Sequence, residues 1–291
     1  MTTAMTTKGP REKAWTTVLL LAPSGLWFFF LLVLPLVVVV VFSFGERAPA
    51  GGYAPAFSLA QYANLPARLT AFRNTMTLAP LGTLACLLAA YPLAYYLAIK
   101  APRRLKLFLL VLVIVPFWTS FLIRTYAWIF ILGGRGLPAL LAWMGWEDVR
   151  LIYTPTAVLI GIVYGYLPLM LFPIYVSLER LDKSLIEASN DLGANPIRTF
   201  LQVTLPLSAP GVITGCMLVF ILLMGEYLIP ALLGGGKVFF VGNALVDLFL
   251  QSRNWPFGSA LAVTLVAVML VTVSLYLRLT RAKGERDVSL L

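Results

Sequence analysis

The chain has 291 residues, 60% of them hydrophobic and only 12% charged, with a mean hydropathy of +0.90. Soluble domains carry about 25% charged residues, so a water-soluble globule is excluded and the composition belongs to the membrane class. The net charge of +10 does not by itself call for nucleic acid, because its placement along the chain serves another purpose.

Gaps between charges predict six spanning helices, each with the ~20 apolar residues that a bilayer core requires. The first covers 15–44 and holds Pro23 and Pro35, which predict a kink. It exceeds the ~7–15 apolar residues of a cleavable signal peptide, so it reads as a retained span despite Ala-Pro-Ala at 48–50. A loop over 45–72 is rich in Gly, Pro and Ala, and the second span follows at 74–99. The third, over 107–132, runs past Arg124. The segment 133–150 opens on a Gly turn and predicts a short helix lying on the membrane. The remaining spans are 152–178, 207–229 and 258–279; the apolar stretch 238–246 is too short to cross. Continuous rather than alternating apolar runs argue against strands in these blocks, since only a helix satisfies its backbone within one segment.

With the N-terminus in the cytoplasm, 14 of the 22 basic residues fall on inner segments. They are Lys8, Arg11 and Lys13; Lys100, Arg103, Arg104 and Lys106; Arg180, Lys183 and Arg198; and Arg278, Arg281, Lys283 and Arg286. This is the positive-inside bias. It places both termini in the cytoplasm and explains the basic charge without a nucleic-acid partner. The expected organisation is a segment 1–14, a transmembrane domain 15–280 and a tail 281–291. Cys86 and Cys216 fall inside spans and read as small packing residues. With no histidine in the chain, most proton-relay and metal-hydrolase schemes lose their usual residue.

One polar passage breaks the apolar pattern at 179–206, on the inner side. Asp182 is placed to cap a helix over Lys-Ser-Leu-Ile-Glu-Ala-Ser-Asn-Asp-Leu. Gly193 stands where a helix stop takes positive φ. Asn195 and Pro196 then supply an N-cap and a first helical residue. The result is helix, Gly turn, helix, with an apolar side (Leu185, Ile186, Leu192, Ile197, Phe200, Leu201) larger than the pair can bury alone. Three readings stay open on the residues: a lid on the spans, a self-packed loop, or a plug for another protein.

The run Glu-Ala-Ser-Asn-Asp-Leu-Gly-Ala-Asn-Pro-Ile-Arg-Thr-Phe-Leu-Gln-Val-Thr-Leu-Pro, 187–206, resembles the EAA loop of permease subunits in ATP-binding-cassette importers. Glu187, Ala188, Gly193, Leu205 and Pro206 match the pattern; Ser189 replaces its second Ala and Val203 its Ile. Further runs, among them "RTYAWIFILGGRGL" and "NWPFGSALA", resemble the spermidine/putrescine branch over roughly 70–280. The resemblance implies an all-α type I importer permease. Its partners would be a second, paralogous permease, two cytoplasmic ATPases, an extracytoplasmic binding protein and membrane lipid. It also implies that Glu187, Ala188, Ser189, Gly193, Leu205 and Pro206 form the ATPase-coupling site. The chain itself has no phosphate loop, since Gly-Gly-Gly-Lys-Val at 234–238 has Val where Ser or Thr is needed. No cofactor is expected on this chain; ATP and magnesium are work for the ATPase.

For the substrate path, ionisable residues in spans cost ~2.5–3.5 kcal/mol at the centre, which singles out Glu226. Counted along its span it lies near the outer end, either as a structural carboxylate paired with Arg124 or as a cation site at the pore mouth. Taken as helix, Asn243, Asp247, Gln251 and Asn254 line one face, suited to a wet path or to plain exposure. Glu226 and Asp247 together would draw a polyamine cation. Trp118, Tyr126 and Trp128 are belt aromatics or cation–π contacts, and Arg124 is expected to snorkel outward. Other substrates (opines, thiamine, phosphonates or an amino-acid-like cation), a membrane-embedded enzyme and an autonomous channel remain as alternatives.

Overall fold

The computed structural model describes residues 20–288, with side chains to Arg278. The expected segment 1–14, the first residues of the first span and the last three residues lie outside it. Among the described residues, six helical stretches are long and apolar enough to cross a bilayer: Leu20–Ser43, Leu65–Lys100, Phe121–Trp143, Pro155–Glu179, Pro196–Met224 and Trp255–Arg278.

Helix α1 (Leu20–Ser43) leads into a two-residue hairpin, β1 (Glu46–Arg47) and β2 (Tyr53–Ala54). Helix α2 (Leu65–Lys100) ends in a π turn at Tyr96–Lys100. The third crossing is not the single rod expected over 107–132. Helix α3 (Arg103–Phe117) stops, and α4 (Phe121–Leu132) starts afresh after three residues. The break follows Pro116, whose carbonyl accepts from the Thr119 hydroxyl at 2.7 Å, while Ser120 leaves helical geometry with ψ 127°. A short helix α5 (Leu137–Trp143) occupies the segment expected to hold one. Helix α6 (Pro155–Glu179) is capped by Thr154, whose Oγ1 accepts from the Ala157 amide at 3.2 Å.

Then come α7 (Lys183–Asp191) and α8 (Pro196–Met224). The fifth span was expected to open at Pro206. Instead the second hairpin helix runs straight into it through a π turn at Phe200–Thr204. That wider turn sits directly before Pro206, where a regular helix would need the N–H that proline lacks. Helix α8 ends at Gly225, and two short helices follow, α9 (Leu228–Leu233) and α10 (Val241–Gln251). Helix α11 (Trp255–Val288) closes the chain.

Helices α2, α6 and α8 form the centre. A Cβ on Gly211 would lie 2.5 Å from the Pro173 carbonyl oxygen and from Ser177 Cβ, and one on Gly215 2.9 Å from Met170 Sδ. These glycines let α8 press its backbone against α6, the close approach that drives packing where lipid removes the hydrophobic gain. The buried Met170, Ile174, Leu223 and Ile162 fill the seam. The small-residue spacing in α8 thus serves packing within the chain. Helices α1 and α11 pair at the margin. A stack of Phe42, Tyr53 and Trp255 joins them, and Arg47 of β1 donates to the Ser252 carbonyl just before α11 at 2.8 Å.

Candidate functional site

The polar hairpin forms from local chemistry. Asp182 Oδ1 accepts from the Ser184 amide at 3.0 Å, and these bonds to Ser184 hold the carboxyl below its ordinary range. Gly193 has φ +82° with open space around its Cβ position. Around it the Gly193 amide donates to Asn190 O at 2.9 Å and the Ala194 amide to Ser189 O at 3.1 Å, closing α7. Asn195 Oδ1 accepts from the Arg198 amide at 2.8 Å, and Pro196 takes the first helical position.

Of the residues the family pattern picks out, Glu187, Ala188 and Gly193 are exposed, with Leu205 and Pro206 inside α8 just past its π turn. Glu187 has no ion-pair partner among the described residues. The departure at Ser189 has a local use, since its hydroxyl lies 3.0 Å from the Thr199 hydroxyl and ties the two helices together. The apolar side divides: Phe200 turns into the bundle, while Leu192 and Ile197 stay 88% and 70% exposed.

The second candidate region is the break after α8. Glu226 is the only buried charged residue among the described residues. Its Oε1 accepts from the amides of Leu228 at 2.7 Å and Ile229 at 3.2 Å, which caps α9. Its Oε2 accepts from the Tyr166 hydroxyl, on the middle of α6. Glu226 therefore sits deeper than a count along one long span suggested. The crossing is completed by α9, whose Leu233 carbonyl accepts from the Tyr153 amide at 2.9 Å, at the start of α6.

Arg124 is not its partner. The guanidinium lies 5.4 Å from the ring centres of Phe117 and Phe121 and 5.9 Å from Tyr164, and its Nε is buried without a hydrogen bond. It faces α6 rather than snorkelling out, at a cavity of about 320 Å³ that Thr119 and Tyr166 also line.

Asp247 accepts from Arg68 at 2.8 Å, with both side chains about 30% exposed. A half-exposed pair of this kind contributes at most about 1 kcal/mol. Asp247→Asn should therefore lower thermal stability in detergent by less than ~1 kcal/mol, an effect that fades with salt. A larger, salt-insensitive loss would show that the carboxylate holds more than this pair. The polar stripe does not form one helix face, because the helix closes with a π turn at Gln251 and Asn254 lies beyond it, after Arg253 at φ +46°. Asn243 is turned to structure, donating to Tyr227 O at 2.7 Å, and Asn254 caps α11 through the Phe257 amide at 3.4 Å. Trp118 lies in the α3–α4 break and is exposed, as is Tyr126, while Trp128 meets Tyr164 edge-on at 5.4 Å. The three rings are not gathered at Glu226. Tyr166 and Arg68 carry no signal in the sequence that marks them as partners of acids.

Six membrane-length helices with a capped polar hairpin between two of them define a multi-pass membrane protein. Residues 90–283 match the family described as the binding-protein-dependent transport system inner membrane component, and the chain belongs to it. It is 40% identical over 265 residues to the spermidine/putrescine transport system permease protein PotB of Escherichia coli K12, covering 89% of this chain and 96% of that one. The protein of the same name from Haemophilus influenzae is also 40% identical over 265 residues, covering 89% and 92%. The inner membrane ABC transporter permease protein YdcU of Escherichia coli is 32% identical over 236 residues, covering 76% and 74%. Among solved structures, a bacterial ABC transporter that imports alginate shares the fold, with a TM-score of 0.72, 17% identity and 93% and 96% coverage. The type I importer permease fold that the resemblance implies follows, and so does a multi-pass inner-membrane location. The chain is a membrane subunit of a transporter that works with a binding protein, not a catalyst.

Proposed function

We propose that the chain forms half of the translocation pathway of an ATP-driven polyamine importer. It would be paired with a paralogous permease and driven by two cytoplasmic ATPases docked on the hairpin 179–206. The observation that carries the coupling role is the hairpin itself: capped at both helix starts, turned by a positive-φ glycine, and with Glu187, Leu192 and Ile197 exposed and Glu187 without an ion-pair partner among the described residues. An apolar edge of this kind on a polar loop fits a cleft of another protein better than a lid over its own spans. The substrate class rests on the 40% identity to PotB proteins over most of the chain. ATP and magnesium are held by the ATPases, and the receptor delivers substrate on the opposite side.

Charge reversal tests the dock without disturbing the fold, because exposed, unpaired positions change stability by about 0.5 kcal/mol or less. Glu187→Lys should leave the chain in the membrane and lower the amount of co-purified ATPase about tenfold, as loss of a charge pair at an interface does. Unchanged co-purification would remove Glu187 from the dock. Uptake of labelled spermidine by the wild-type assembly, competed by putrescine but not by thiamine or an opine, tests the substrate class.

A further inference from the structure

The hairpin's inward residue contacts the second span, and the contact has a direction. We propose that Phe200 is the positioning residue that carries movement of the hairpin into the membrane core, by bearing edge-on against Tyr91 and Tyr95 of α2. The inference rests on the coupling role given above. Its route is short. Ser189 Oγ lies 3.0 Å from Thr199 Oγ1, which also donates to Asn190 Oδ1 at 3.3 Å, so α7 is fastened to the residue before Phe200. Thr199 is buried, which keeps that fastening out of water. The Phe200 ring centre is 5.6 Å from Tyr91 at 90° and 5.8 Å from Tyr95 at 80°. Two edge-to-face contacts of this kind fix a ring's orientation as well as its position.

A second point of grip follows along the same helix. The Tyr91 hydroxyl lies 2.8 Å from Ser208 Oγ, itself fully buried on α8. Helix α8 thus holds α2 at Phe200 and again at Ser208. Both helices carry a π turn at this level: one begins at Phe200 and the other immediately after Tyr95. π turns are points where a helix can readjust its register, and they recur at functional sites. A stiff aromatic contact set between two adjustable turns moves one helix with the other. The outward residues of the hairpin, Leu192 and Ile197, stay exposed and bear on nothing comparable among the described residues.

The test uses the full assembly of this chain, second permease, ATPases and binding protein in liposomes. Three quantities are read: ATPase retained, ATP hydrolysed with spermidine-loaded binding protein, and spermidine imported per ATP. Phe200→Ala should retain the ATPase and its hydrolysis within about twofold while import per ATP falls about tenfold, within the usual range of site-to-site coupling. Phe200→Tyr should restore most of it. Tyr95→Ala should show the same loss, and the double variant no further loss, since two ends of one contact are not additive. If Phe200→Ala does not assemble, Tyr95→Ala carries the same readout. Unchanged import per ATP with ATPase bound overturns the inference and leaves the coupling role standing. Loss of the ATPase from the variant alone also overturns it, placing Phe200 in the dock. A wild-type assembly that holds no ATPase overturns the coupling role itself.

Discussion

Gly193→Asp is expected to cut spermidine uptake about a hundredfold, equivalent to ~2.8 kcal/mol, with the amount of chain in the membrane unchanged. Gly193 sits at φ +82°, and a Cβ there would meet nothing within 4 Å. A side chain is therefore opposed by backbone conformation alone, at roughly 1–2 kcal/mol, and not by any clash inside this chain. That cost loosens a turn on the surface and leaves the buried seam of α2, α6 and α8 untouched. The rest of the expected loss comes from a carboxylate placed where a partner's surface must close over the turn, since an unmatched polar group buried at an interface costs about 1–3 kcal/mol. Gly193→Ala carries the conformational cost without the charge and should lose only about tenfold. Membrane-fraction blots and uptake measured side by side check this. Normal uptake by the aspartate variant, or equal losses of chain and uptake, would remove the turn from the coupling surface.

The hairpin was legible because every one of its signals is local. Asp182 and Asn195 accept from amides two and three residues on, Gly193 turns the chain through its own positive φ, and Pro196 opens the next helix, so the residues alone specify the geometry found. The spans were legible because a bilayer imposes length. What periodicity could not show is where helices change pitch. The helix begun at Val241 changes pitch in a π turn at Asp247–Gln251 and ends there, so the stripe extrapolated from Asn243 to Asn254 runs off its end. The π turn at Phe200–Thr204 likewise fuses the hairpin to the fifth span across Pro206. The break at 118–120 was marked only by Pro116, Thr119 and Ser120, residues that a continuing span also tolerates. Partners of buried charges were the least readable. Glu226 and Arg124 are both expensive in a membrane, and pairing them is the economical guess. Yet Glu226 is satisfied by a tyrosine and two amides, and Arg124 lies against three rings with its Nε left without a hydrogen bond. Such contacts are tertiary, and hydroxyls and rings in an apolar span look like ordinary packing.

Glu226→Gln should lower spermidine uptake about thirtyfold while the assembly and its ATPase remain intact. The carboxylate offers about four lone-pair directions, and three are taken by Leu228, Ile229 and Tyr166. Glutamine keeps an oxygen for the two amides, so the cap on α9 survives, and the Tyr166 hydroxyl can reverse to accept from the new amide group. What is lost is the negative charge. At an effective dielectric of about 20, a charge 4 Å from an ammonium is worth roughly 4 kcal/mol before desolvation is subtracted, and half of that remaining gives the expected factor. A charge effect should scale with the cargo, so uptake of the trication spermidine should fall further than that of the dication putrescine. Tyr166→Phe separates charge from fastening. It cuts the tie between α6 and α9 but leaves the carboxylate, and uptake should stay within about threefold of wild type, the worth of one hydrogen bond of ~0.5–1.5 kcal/mol. If Tyr166→Phe is as damaging as Glu226→Gln, and both cargoes suffer alike, Glu226 is a clamp on the broken fifth span and the cation passes elsewhere.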